Sequence, residues 1–306
     1  MRSFIIIIMF LCFNPIWAKE VNLMNNSFKK PAGIMRLGKT NLFNQIYVES
    51  GVKWSSNMDT TGNLHAGLIG LQHQLGKKLT LFHNYYYLSQ DNFWGNVSQS
   101  GYYANLEYKF NNKFKMGFAG SYLNSRARIS ENLLMGISNQ IINNNNYLGL
   151  MHATVAIKKL YLKPSIAYSN LNNLSEKQDQ LQLGGEVLYD LKNNERFVFG
   201  LGLYHFINNS NVSTFYKPSI SFTVSDEVNI SADYFYTNQV NYSDQKGFII
   251  YNSADKSYDR TNINIRYEFA NNLYMFGVYQ FERKQDHLSK TDYHFNSIFL
   301  GIKYNL

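Results

Sequence analysis

Two short stretches bring together residues that could do chemistry. Asp292-Tyr293-His294 is an Asp-x-His pair, and "HFINNS", His205 to Ser210, carries a histidine and a serine. An imidazole held near a carboxylate is the usual equipment of a general base, so a surface hydrolase using His294 with Asp292 is one hypothesis. The seven histidines have no metal-ligand spacing such as two histidines one helical turn apart. No glycine-rich phosphate loop or nucleophile elbow occurs. No metal site and no cofactor are expected.

A second set of residues suggests field rather than bond chemistry. Glu49, Lys53, Glu107, Lys109, Lys115, Lys163, Glu186, Lys217, Asp233, Arg266, Glu268 and Lys303 each sit on a position that alternates with apolar neighbours. Seven are basic and five acidic, a surplus of two positive charges. If they share the inside of a closed sheet, two readings stay open. They line an aqueous pore and set a transverse field that selects small polar solutes, mildly favouring anions. Or they pair across strands, as Asp233 and Arg266 could, and fill the interior. Tyr47, Phe82, Tyr86, Tyr103, Tyr204, Phe235, Phe295 and Phe299 fall on the same inward face. Such rings can stack on sugars or guide apolar solutes, or pack loops and fill space.

The elements that must position these residues are strands. Tyr (24) and Phe (22) are abundant, Pro (4) is scarce, and asparagine is frequent, which suits pleated surfaces and turns. Alternation of about ten residues per segment recurs from residue 45 onward. The segments are Gln45–Ser55, His65–Leu75, Leu79–Leu88, Tyr102–Phe110, Phe114–Leu123, Tyr147–Ile157 and Leu160–Ser169. They continue with Gln180–Tyr189, Phe197–Tyr204, Tyr216–Val224, Val228–Tyr236, Asn262–Phe269, Leu273–Phe281 and the closing stretch His294–Leu306. In the second, sixth and thirteenth both faces are apolar, so inside and outside are not distinguished, and a one-residue slip would exchange them.

The connections alternate. Short ones fall at Gly76-Lys77, 111–113, Lys158-Lys159, 192–196, 225–227 and Asn271-Asn272. Longer ones fall at Gln90–Gly101, Asn124–Asn146, Leu171–Asp179, Ile207–Phe215 and Thr237–Arg260. Short turns on one side and long loops on the other mark a transmembrane β-barrel, with the short turns and both termini periplasmic. The expected fold is therefore all-β: an antiparallel up-and-down barrel of about fourteen strands over 45–306.

The first eighteen residues, "MRSFIIIIMFLCFNPIWA", read as a signal peptide: Arg2, an apolar run from Phe4 to Phe13, a break at Asn14-Pro15, and Ala18 before the cleavage site. Cys12, the single cysteine, lies within it, so the exported chain would hold no disulfide and no cysteine-ligated metal. Residues 19–44 lack periodicity and read as a periplasmic tail or a small plug. The net charge of +8 is scattered, often singly, and no basic helix accompanies it, which argues against nucleic-acid binding.

The ending, with Ile298, Leu300, Ile302, Tyr304 and Leu306 on alternate positions, resembles the C-terminal assembly signature of bacterial outer-membrane β-barrel proteins. There the last residue is usually phenylalanine; here it is leucine. The resemblance implies a porin-like architecture in the cell outer membrane, recognition by the barrel-assembly machinery, and a belt of membrane lipid. The Asp292-x-His294 pair looks like half of the site of the omptin family of outer-membrane proteases, whose Asp-x-Asp partner has no counterpart here. "HFINNS" resembles the His and Ser arrangement of lipid A deacylases, whose barrels are much smaller. The leading functional expectation is a non-enzymatic channel for passive diffusion of small polar solutes. A non-conducting scaffold or export component is the second expectation, and a surface hydrolase the third.

Overall fold

The computed structural model of the chain describes residues 45–55, 64–92, 95–129, 140–172, 177–191, 197–208, 211–244, 249–285 and 290–305. The expected signal peptide, the segment 19–44 and Leu306 lie outside these described residues.

Fourteen strands follow one another: β1 (Gln45–Ser55), β2 (Leu64–Leu75), β3 (Leu79–Asn92), β4 (Gly95–Lys109), β5 (Phe114–Ile129), β6 (Gln140–Ile157) and β7 (Leu160–Asn172). The second half comprises β8 (Lys177–Asp190), β9 (Phe197–Asn208), β10 (Asn211–Thr223), β11 (Val228–Asp244), β12 (Ile249–Ala270), β13 (Leu273–Gln285) and β14 (Asp292–Asn305). Each is antiparallel to its sequence neighbours, and β1 pairs with β14 from Gln45↔Asn305 to Ser55↔Phe295, closing the barrel. Closure matters because an unpaired strand edge would leave its N–H and C=O groups without partners in hydrocarbon.

Alternation explains why these segments sit as they do. On β14, Ile298, Leu300, Ile302 and Tyr304 are exposed on the outer surface, while Phe295, Ser297, Phe299 and Lys303 are buried inside. The three strands with two apolar faces are settled by their neighbours. Leu68 of β2, Leu148 and Leu150 of β6, and Phe276 and Val278 of β13 point inward; Ile69, Met151 and Met275 point outward.

Short turns close one end with specific turn chemistry. Gly76, Lys158 and Asn272 adopt left-handed backbone, with φ of 69°, 53° and 66°, as tight reversals between twisted strands require. Asn111 Oδ1 accepts hydrogen bonds from the backbone N–H groups of Lys113 (2.8 Å) and Phe114 (2.9 Å). Ser225 Oγ donates to Glu227 Oε2 (2.7 Å) and so holds that carboxyl below its ordinary range.

At the other end the structure corrects the expected long loops. Much of what reads as loop is strand: β3 runs to Asn92 and β4 starts at Gly95, β5 runs to Ile129, β6 starts at Gln140, and β11 and β12 reach Asp244 and Ile249. A spanning strand needs about 9–11 residues, whereas β6 has 18 and β12 has 22. Their excess projects past the membrane slab. There water replaces hydrocarbon around the barrel, so backbone pairing persists while outward positions no longer need to be apolar.

Candidate functional site: the barrel interior

The interior is built from the inward half of every strand. Of the charged residues expected there, Glu49, Lys115, Lys163, Lys217 and Lys303 are buried. Glu107, Lys109, Glu186, Asp233, Arg266 and Glu268 are half-buried. Lys53 is described by its backbone alone.

Register decides which of them meet. Lys115 Nζ lies 3.2 Å from Glu107 Oε1 across β4 and β5. Lys163 stands directly opposite Glu186, and both Glu186 and Lys217 stand opposite Gly202. Gly202 has no side chain to intervene: an added Cβ would lie 3.1 Å from Lys217 Cβ and 3.4 Å from Glu186 Cγ. Lys217 Nζ therefore reaches Glu186 Oε1 at 3.0 Å over the top of β9, and Tyr204 OH donates to the same oxygen at 3.2 Å. The expected pairing of Asp233 with Arg266 is not made. Asp233 stands opposite Asn262 and accepts from its Nδ2, while Arg266 stands opposite Asn229, four residues and about 13 Å along the strand. Arg266 Cζ and Lys303 Nζ instead approach the Tyr274 ring, at 5.6 and 6.0 Å from its centroid.

Among the described residues, four buried inward charges escaped the sequence reading: Asp190, Arg260, Glu282 and Lys284. Arg260 falls where a loop was expected, yet it continues the even-numbered inward series of Asn262 and Arg266, and that parity was the available signal. Arg260 Cζ sits 4.5 Å and Lys217 Nζ 5.1 Å from the Phe235 ring centroid. Phe235 also continues an aromatic stack. Phe215 lies 4.8 Å from Tyr204, 4.6 Å from Phe206 and 5.1 Å from Phe235, centroid to centroid. Glu282 Oε1 accepts from Ser257 Oγ at 3.0 Å and lies 3.8 Å from Lys284 Nζ.

The opposite arc is of another character. Leu68, Phe82, Tyr86, Tyr103, Ala119, Leu123, Leu148, Leu150 and Ala167 form one continuous buried apolar cluster on β2 to β7. The interior thus gathers its apolar cluster on β2–β7, where the Lys115–Glu107 pair lies nearer the short-turn end, and carries a second group of paired charges and stacked rings on β8–β13.

Several inward rings lie flat because a glycine stands opposite. Tyr86 covers Gly101, Phe276 covers Gly301, Phe299 covers Gly51 and Tyr204 covers Gly184, each pair in register. A ring over a cross-strand glycine shields bare backbone and stays close to the wall. Gly101→Val should force the Tyr86 ring off the wall and lower the unfolding free energy by about 1–3 kcal/mol, the cost of overpacking. Urea unfolding in vesicles checks this, and an unchanged midpoint would refute the tight fit.

The two hydrolase candidates stand elsewhere. His294 packs against Phe281 (5.4 Å between centroids) on the outer face, and Asp292 accepts from Gln285 Nε2 at 3.2 Å. His205 is likewise on the outer face, with Nδ1 at 2.8 Å from Thr214 Oγ1; Ser210 lies outside the described residues. Neither histidine faces the barrel interior.

No protein-family model matches the sequence, nor does any curated protein. Solved structures do resemble the fold. The Pseudomonas putida toluene transporter TodX aligns with a TM-score of 0.56 at 10% identity, over 86% of this chain and 90% of that one. The CymD monoaromatic hydrocarbon channel gives 0.59 at 8% identity, over 86% and 88%. A Pseudomonas aeruginosa FadL homologue gives 0.52 at 10% identity, over 86% and 90%. At these identities the likeness establishes the shared outer-membrane β-barrel fold.

Proposed function

We propose that the chain is an outer-membrane channel for passive passage of small solutes that combine an apolar part with a polar or anionic part. The observation that carries this reading is the mixed interior, with an apolar cluster on β2–β7 and the buried cations Lys217 and Arg260 across from it on β10 and β12. Charged residues alone supported small polar solutes; the apolar cluster extends the reading to solutes that use both. The fold shared with channels described as carrying toluene or monoaromatic hydrocarbons is consistent with an apolar route.

A second reading concerns the segment 19–44. β1 starts at the short-turn end of the barrel, opposite Asn305 and Gln72, and a barrel of this strand number is wider than its own side chains fill. Both support reading 19–44 as a plug.

Planar-bilayer recordings of the mature chain and of a variant lacking 19–44 test both. The channel requires conductance from at least the shortened chain, and silence of both overturns it. The plug requires the shortened chain to conduct more, and equal conductance overturns it. For the solute class, proteoliposomes should admit benzenesulfonate faster than a sugar of similar mass. Equal or reversed rates would return the reading to plain polar solutes.

A further inference from the structure

The outer face of β5 changes character along its length. From the short-turn end it presents Phe114, Met116, Phe118, Gly120 and Tyr122, and then Asn124, Arg126 and Arg128. Tyr122 stands in register between Tyr102 of β4 and Tyr147 of β6, and all three are exposed. Tyrosines in such a row mark the level where hydrocarbon gives way to headgroups. Arg126 lies four residues farther out, about 10 Å of height for a strand tilted about 40°. That is the level of lipid phosphates in the outer leaflet.

Both arginines are exposed, and no described residue pairs with either. Their cross-strand neighbours carry no charge: Ser98 and Asn143 beside Arg126, Asn96 and Ile141 beside Arg128. Arg283 of β13 is also exposed near the long-hairpin end, but its guanidinium is held by Asp259, with Nε at 2.9 and 3.0 Å from the two carboxylate oxygens. Below Tyr122 and Tyr147, Gly120 and Gly149 face each other across β5 and β6. A Cβ at Gly149 would meet nothing within 4 Å, and one at Gly120 only the Leu148 carbonyl at 3.7 Å. The lipid-facing surface is therefore recessed under the arginines.

We infer that Arg126 and Arg128 dock the phosphate of a phosphorylated glycolipid of the outer leaflet, with an acyl chain lying in the Gly120–Gly149 recess. Two planar guanidinium forks match phosphate oxygens closely, and their charge, which no described residue neutralises, complements a phosphomonoester. The apolar recess directly beneath selects a lipid over a free anion. The site is independent of whether the barrel conducts; it requires only that the short turns be periplasmic.

Native mass spectrometry of the full mature chain, folded in a neutral detergent, tests it with bisphosphorylated lipid A and its dephosphorylated form. The wild type should hold the phosphorylated lipid about tenfold more tightly, as expected for a charge-assisted contact. The R126Q/R128Q variant, verified as folded by its heat-modifiable gel mobility, should lose that preference. R283Q should keep it, because Arg283 is already neutralised. Equal binding of the two lipids, an undiminished preference in R126Q/R128Q, or an equal loss in R283Q would each overturn the site. Displacement of the lipid by excess inorganic phosphate would overturn the role of the recess; retention supports it.

Discussion

Replacing Glu186 with glutamine should lower the unfolding free energy by about 3–5 kcal/mol, the cost of removing one partner from a buried ion pair. Glu186 stands opposite Lys163, lies 3.0 Å from Lys217 Nζ and accepts from Tyr204. The pair is well shielded, with side-chain exposures of 8% for Lys217 and 11% for Glu186. Without the carboxylate, two ammonium groups would face one another inside the barrel across the position it held. Most of the cost belongs to the stranded cations rather than to the lost bond. The double variant Glu186→Gln/Lys217→Met should therefore regain much of the loss, since an apolar side chain of similar shape replaces a buried charge cheaply. Urea unfolding in vesicles measures both variants. A loss under about 1 kcal/mol in the single variant would mean that water already solvates the lysines as it does at a surface. The single variant should also move the reversal potential in a potassium chloride gradient toward chloride, because it raises the positive field along the arc.

Leu300→Arg should cost about 2–4 kcal/mol, and Tyr304→Arg only about 0–1 kcal/mol. Leu300 is 62% exposed on the outer face of β14, and Tyr304 sits four residues nearer the short-turn end. An arginine at Leu300 would meet acyl chains near mid-slab. One at Tyr304 reaches the headgroups with its long stem. The contrast tests depth as well as orientation. Equal costs at the two positions would place both at the same depth, and no cost at Leu300 would mean that this face does not meet hydrocarbon.

The two solvents explain what could be read without coordinates. Within the slab, oil on one side and water or packed side chains on the other impose a period of two on the chain. The series Ile298, Leu300, Ile302 and Tyr304 follows from that period, as does the strand count. The short turns at Gly76, Lys158 and Asn272 were legible for a different reason, since a tight reversal restricts which residues fit it. Beyond the slab the period ends, so the outer portions of β5, β6, β11 and β12 read as loop although they are paired strand.

The cross-strand encounters belonged to the tertiary structure alone. Parity says that Asp233 and Arg266 share a side, but register sets Asp233 against Asn262 and leaves Arg266 beside Tyr274. Parity likewise says that Tyr86 and Gly101 face inward, but their stacking depends on β3 and β4 aligning those two residues. The grouping of the interior's apolar cluster on β2–β7 and of its stacked rings and further charges on β8–β13 depends on which strands become neighbours around the circle, and closure brings those neighbours together. A period of two chooses a face; only hydrogen-bonded alignment of separate strands chooses a partner.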